Sequence, residues 1–200
     1  MSILRKFLQG LKDWVESFAH KPYALWALFV VSFVEASVFP LPPDVLMIAL
    51  GVSAPKKSLR YGAVTALGSF AGGYLGYYIG STLFEVVGRP ILGWFGMMAK
   101  FGVALQYYHD NGISSLIISG FLPLPYIAFT MAAGFNHTLS LTTLTIGALI
   151  GRFVRFLLMG ALLYYFGPPV KFYIDKYYEK ISVALAAAIV LGIVLLKLLI

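Results

Sequence analysis

Four charged residues stand inside otherwise apolar stretches of this 200-residue sequence: Glu35, Asp44, Arg152 and Arg155. A carboxylate at the centre of a bilayer costs roughly 2.5–3.5 kcal/mol on insertion scales, so an acid in such a stretch is a functional candidate by default. Glu35 has no helix-capping role to explain it. Asp44 follows Pro42 and Pro43, so it is either a second functional acid or the N-cap of the helix that follows. Arg152 and Arg155 are three apart and share a helical face. Two roles are open to them: neutralising Glu35 and Asp44, or binding an anionic headgroup, for which a planar guanidinium is suited. The bland alternative is an ion-pair network that merely holds the chain together.

Other chemistries lack their residues. There is no cysteine, and His20, His109 and His137 have no metal-ligand spacing. No nucleophile elbow, zinc-binding helix or phosphate loop occurs. The sequence therefore predicts neither an enzyme nor a bound metal or cofactor.

Composition names the solvent these charges must tolerate. Sixty per cent of residues are hydrophobic and 12% charged, against about a quarter charged in a soluble domain; mean hydropathy is +0.86. These figures predict an all-α integral membrane protein. The net charge of +7 comes from cations flanking apolar runs, which implies topology and anionic lipid rather than nucleic acid.

The elements that would position the charges are broken and repeated. Tyr23 to Val52 is apolar but interrupted at Pro40, Pro42 and Pro43; Ile113 to Phe135 is interrupted at Pro123 and Pro125. Each proline removes a donor and clashes with the preceding turn, at about 3 kcal/mol within a helix. Such backbone survives at membrane depth only inside protein or a wet cavity, which favours a pair of half-helices over a kinked span. Pro40-Leu41-Pro42 matches Pro123-Leu124-Pro125 at an offset of 83, which also carries Gly51 onto Gly134 and Gly68 onto Gly151. The expected architecture is thus an inverted repeat of a Pro-broken re-entrant hairpin plus a spanning helix. Repeat one covers about 23–84 and repeat two about 113–167, with full spans at Tyr61–Phe84 and Leu139–Phe166. Gly68, Gly72, Gly76 and Gly80 form a small-residue seam in the first span. Residues 85–112 suit interfacial helices. An amphipathic interfacial helix is expected over residues 1–20, a membrane domain over 21–170, and a charged linker with a C-terminal transmembrane helix (Ile181–Leu196) over 171–200. Lys56, Lys57 and Arg60 place the loop after the first hairpin inside, while Asn136–Ser140 carries no Lys or Arg and should face outside.

The stretch Glu35-Ala-Ser-Val-Phe-Pro-Leu-Pro-Pro-Asp44, the glycines from Gly68 to Gly80, Gly120-Phe-Leu-Pro-Leu-Pro-Tyr126, Ala133-Gly134 and Gly151-Arg-Phe-Val-Arg-Phe156 together resemble the DedA family of membrane proteins, whose shared unit is also called the VTT or SNARE-associated domain. The likeness is greatest to its YqaA-like branch and covers roughly residues 20–170. It implies facing re-entrant hairpins and movement of lipids between leaflets, undecaprenyl phosphate and phosphatidylethanolamine among them, often coupled to proton motive force. The family's acidic pair falls on Glu35 and Asp44. Its second-hairpin arginines have no counterpart, since Gly120 and Ile127 occupy that region; Arg152 and Arg155 are the candidate substitutes.

The resulting expectation is a multi-pass lipid flippase or scramblase of a bacterial cytoplasmic (inner) membrane, with an anionic phosphate headgroup as partner and a homo-oligomer possible. Arg152 and Arg155 would hold the phosphate, and Glu35 or Asp44 would take up protons. A non-transporting assembly scaffold and a proton-coupled small-solute carrier are the alternatives.

Overall fold

A computed structural model describes residues 17–19, 21, 23–122 and 125–199, with backbone alone at 136, 171 and 173–199. The described residues are helical, with no strand among them. Pro123 and most of the expected N-terminal amphipathic helix lie outside them.

The first apolar run divides into α1 (Tyr23–Glu35) and α2 (Pro43–Ser53). Pro43 opens α2 at a position where a missing N–H has no helical partner to lose. The end of α1 is closed locally: Ser37 Oγ donates to the Phe33 carbonyl at 2.7 Å, and the Val38 and Phe39 amides both reach the Val34 carbonyl. Helix α3 (Ser58–Thr82) follows after a short 3-10 turn. Then come α4 (Arg89–Trp94), α5 (Met98–Asn111), α6 (Ile113–Phe121), α7 (Tyr126–Gly134) and α8 (Leu141–Leu199). Gly112, at φ +52°, makes the tight joint between α5 and α6, in a conformation that only glycine adopts without strain.

Packing fixes the direction of each limb. Phe29, Phe33 and Ala36 meet Gly68, Gly72 and Gly76 in turn, so α1 runs parallel to α3. The chain then reverses, because Met47 lies beside Gly62 and Gly51 beside Ser58, whose Oγ donates to the Gly51 carbonyl. This first hairpin opens at the Ser58 end of α3. Helix α8 is antiparallel to α3, with Tyr74 bonded to Thr145 and Gly62 against Phe156. Leu116 and Gly120 meet Gly147 and Gly151, so α6 follows α8, while α7 returns along α3 until Gly134 abuts Tyr77. The second hairpin therefore opens at the opposite end, near Thr82 and Leu141. The glycines matched by the offset of 83 do matching work. Gly51 of α2 faces Leu163 on α8, and Gly134 of α7 faces Tyr77 on α3.

These contacts need hydrogen in place of a side chain. A Cβ at Gly72 would sit 2.2 Å from the Phe33 carbonyl oxygen, and one at Gly80 2.0 Å from that of Met131. Small residues on α3 let both hairpins reach its backbone.

Two expectations are sharpened or corrected. The charged segment 171–180 is helical: α8 continues through it, and through Pro168 and Pro169, to Leu199. A proline removes one amide bond, but the turns on either side can carry the helix across it. The second correction concerns length and apolarity. Among the described residues one helical segment, Leu141–Val170 (30 residues, mean hydropathy 1.8), is long and apolar enough to cross a membrane. Helix α3 has 25 residues, about 37 Å at 1.5 Å each, but its many Gly, Ser, Thr and Tyr residues lower its apolarity.

Candidate functional site

The two hairpin tips meet between α3 and α8, and all four charged residues converge there. Glu35 is the last residue of α1 and only 5% exposed. Its Oε1 accepts the backbone N–H of Tyr126 at 3.0 Å, and its Oε2 accepts Arg152 Nη2. Tyr126 is the first residue of α7, so the carboxylate of one hairpin caps the half-helix of the other. The expectation that Glu35 had no capping role is overturned. Its partner lies 91 residues away rather than three.

Asp44 sits in the first turn of α2, whose N-cap is Pro42 with no side-chain cap bond. The local N-cap role is therefore also overturned. Asp44 Oδ1 instead accepts Arg155 Nη2 at 2.7 Å, and Arg155 Nη1 donates to the Phe121 carbonyl at 2.6 Å, the last residue of α6. Arg155 thus joins the end of one broken helix to the start of the other. The two bridges are related crosswise. Glu35 runs from the limb before the first break to the limb after the second, and Arg155 links the limb before the second break to the limb after the first.

Aromatic rings complete the arginine environment. The Arg152 guanidinium lies 3.9 Å from the Tyr126 ring centroid and 5.4 Å from that of Phe156; Arg155 lies 5.7 Å from Phe156. Such stacking suits a delocalised cation in a dry setting. Arg152 Nε and Arg155 Nε are buried without a hydrogen-bond partner among the described residues.

A cleft of about 270 Å³ opens over this network, lined by the four charged residues and by Pro40, Pro42, Pro43 and Pro125. It also contains Lys100, from α5. Sequence reasoning missed Lys100 because it lies in a mixed segment whose charges resemble any exposed helix face. No ion pair involving Lys100 occurs among the described residues, so three cations face two carboxylates. Among the described residues there is no group of three metal-ligating side chains. Ile127, at the offset position of Asp44, is fully buried in the apolar core.

The arrangement can hold an anion against excess positive charge, and it can exchange partners within two ion pairs. The exposed Glu85–Arg89 pair has no such capacity. There a hydrogen bond from Arg89, with its charge, holds the Glu85 carboxyl below the usual range in full contact with solvent.

No protein-family model matches the sequence, and no solved structure does. An uncharacterized protein of Haemophilus influenzae is 32% identical over 175 residues, which span 88% of this chain and 90% of the relative. An uncharacterized protein of Histophilus somni is 31% identical over 154 residues, spanning 77% of this chain and 80% of that one.

Proposed function

The chain belongs to the family of these uncharacterized Haemophilus influenzae and Histophilus somni proteins, and we propose that it is an integral membrane transporter or scramblase that moves a lipid bearing an anionic phosphate between the leaflets of a bacterial inner membrane. In this reading the hairpins are re-entrant, enter from opposite faces and form an inverted repeat. Their limbs, at 13, 11, 9 and 9 residues, are each too short for a ~30 Å hydrocarbon core that needs about 20 helical residues. Exposed Val45 and Ile48 on α2, with Val154, Leu158 and Leu162 on α8, support a lipid-facing exterior. The resemblance to the DedA family supports the same substrate class.

The observation that carries the proposal is the cleft, where cations outnumber carboxylates and two buried guanidinium N–H groups lack partners. Opposed broken helices around a central charged site are the architecture expected of alternating access. An incoming phosphate competes with Glu35 and Asp44 for the arginines. Protonation of either acid frees its arginine for the phosphate, and deprotonation returns the arginine and releases the lipid. The engagement of both arginines by carboxylates favours the rival reading, a non-transporting scaffold whose ion pairs are structural.

Reconstitution separates the two. Proteoliposomes carrying an inner-leaflet fluorescent phospholipid or polyprenyl phosphate are expected to expose it faster than empty vesicles, with Glu35→Gln and Arg155→Ala slowed. Well-folded protein that moves no lipid supports the scaffold, and solute uptake without lipid movement supports a small-solute carrier.

A further inference from the structure

The polar cleft is not the end of the cavity system. A second groove of about 300 Å³ lies between α5 and α6, and it shares two lining residues with the cleft, Lys100 and Pro125. The shared residues make the two spaces adjoin. Their chemistry differs sharply. The groove walls are Val103, Tyr107, Ile118, Leu122 and Phe129, of which the first four are half-exposed. The two hydroxyls on its floor are already committed: Ser115 Oγ donates to the Tyr107 carbonyl at 2.6 Å and Ser119 Oγ to the Leu116 carbonyl at 3.0 Å. Away from Lys100 and the Tyr107 hydroxyl, the groove therefore offers an occupant apolar contact. At the small end of ligand pockets, which span ~300–1,000 Å³, it has room for a stretch of one hydrocarbon chain.

We propose that this groove holds the tail of the lipid whose phosphate occupies the cleft, and that Lys100, at the junction, is the cation that receives that phosphate while both arginines are still paired with their carboxylates. The inference rests on the lipid-phosphate reading above and names the parts of the site that would select the cargo. Charge balance singles out Lys100. Arg152 and Arg155 are matched one-to-one by Glu35 and Asp44, so the excess positive charge of the cleft resides on Lys100. Geometry agrees, because an amphiphile with its head in the cleft and its tail in the groove must cross the boundary where Lys100 stands. Lysine also suits a mobile headgroup, being a point charge with no fork to satisfy.

Photo-crosslinking in phosphatidylcholine vesicles tests this with the full-length chain. The probes are phosphatidic acid and phosphatidylcholine, each with a diazirine at mid-tail. The phosphatidic acid probe is expected to label α5 and α6 peptides around Val103 and Ile118. Lys100→Gln should lower that labelling several-fold, Lys100→Arg should restore it, and Lys56→Gln, in an exposed loop, should leave it unchanged. Ile118→Trp or Val103→Trp, each at a half-exposed wall, should block tail labelling without unfolding the protein. Labelling spread evenly over the outside of α8, or indifferent to Lys100→Gln, overturns the inference. Lipid flipping without groove labelling also overturns it and leaves transport standing. Groove labelling that responds to Lys100→Gln, without flipping, upholds the binding site and removes transport.

Discussion

Glu35 Oε1 accepts the Tyr126 amide at 3.0 Å, so the acid that ends α1 caps the start of α7. Its second oxygen holds Arg152, and both side chains are almost fully buried. Removing one partner of a buried pair leaves an uncompensated charge and costs about 3–5 kcal/mol. Glu35→Gln keeps an acceptor for the Tyr126 amide but strands Arg152, so denaturant unfolding in micelles should show a loss of that size. Glu35→Gln combined with Arg152→Met should recover much of it. Additive losses in the double variant would contradict a coupled pair.

Arg155 spans two acceptors at once, Asp44 Oδ1 and the Phe121 carbonyl. Lysine cannot hold both in fixed geometry, so Arg155→Lys should forfeit roughly one charged hydrogen bond, about 1.5–3 kcal/mol. The Asp44 side chain is 25% exposed against 7% for Glu35, so water relieves part of its loss. Asp44→Asn is therefore expected to unfold at higher denaturant than Glu35→Gln. The reverse order would show that burial does not rank these pairs.

The α3 glycines make a contrast with glycines in open positions. Gly72→Ala and Gly80→Ala push a methyl onto backbone carbonyls, and should cost 1–3 kcal/mol or more, in the range of overpacked cores. Gly102 lies inside α5 with open space around its missing side chain, so Gly102→Ala should stabilise by up to about 1 kcal/mol. Thermal melts of the three variants side by side check this, and equal shifts would mean the hairpins do not touch α3 as described.

Glu85 gives the pH and salt control. Its carboxyl is held below the usual range by the Arg89 hydrogen bond and charge. A depressed carboxylate contributes above its unfolded value and loses that contribution as pH falls through the lowered one. Because the pair is open to solvent, high salt should erase the contribution. Glu85→Gln is thus expected to melt like the parent in high salt at neutral pH. A large fall there would place the pair in a drier setting than its exposure indicates.

Much of the scaffold was legible because prolines and glycines act locally. Pro42, Pro43 and Pro125 mark the starts of short helices, and the spacing of Gly68, Gly72, Gly76 and Gly80 marks a face that meets backbone. The wiring of the site was not legible. Whether Glu35 caps a helix depends on Tyr126, 91 residues on, and no local pattern encodes that meeting. The choice between roles for Arg152 and Arg155 likewise required knowing where the acids sit. Lys100 escaped notice because α5 reads as a mixed exposed helix, and only its packing beside the hairpin tips places it in the cleft. The helical course of 171–180 was not legible because its charges interrupt the apolar pattern on either side.

The proposed transport requires hairpins that open on opposite faces of a bilayer. The chain has no cysteine, so a single introduced one reports unambiguously. Lys56→Cys lies after the first hairpin and Ser140→Cys after the second, both at exposed positions. In intact cells an impermeant maleimide should label Ser140→Cys and spare Lys56→Cys until the membrane is opened. Equal labelling of both from one side, in folded protein, would contradict the opposed arrangement and the transport reading built on it.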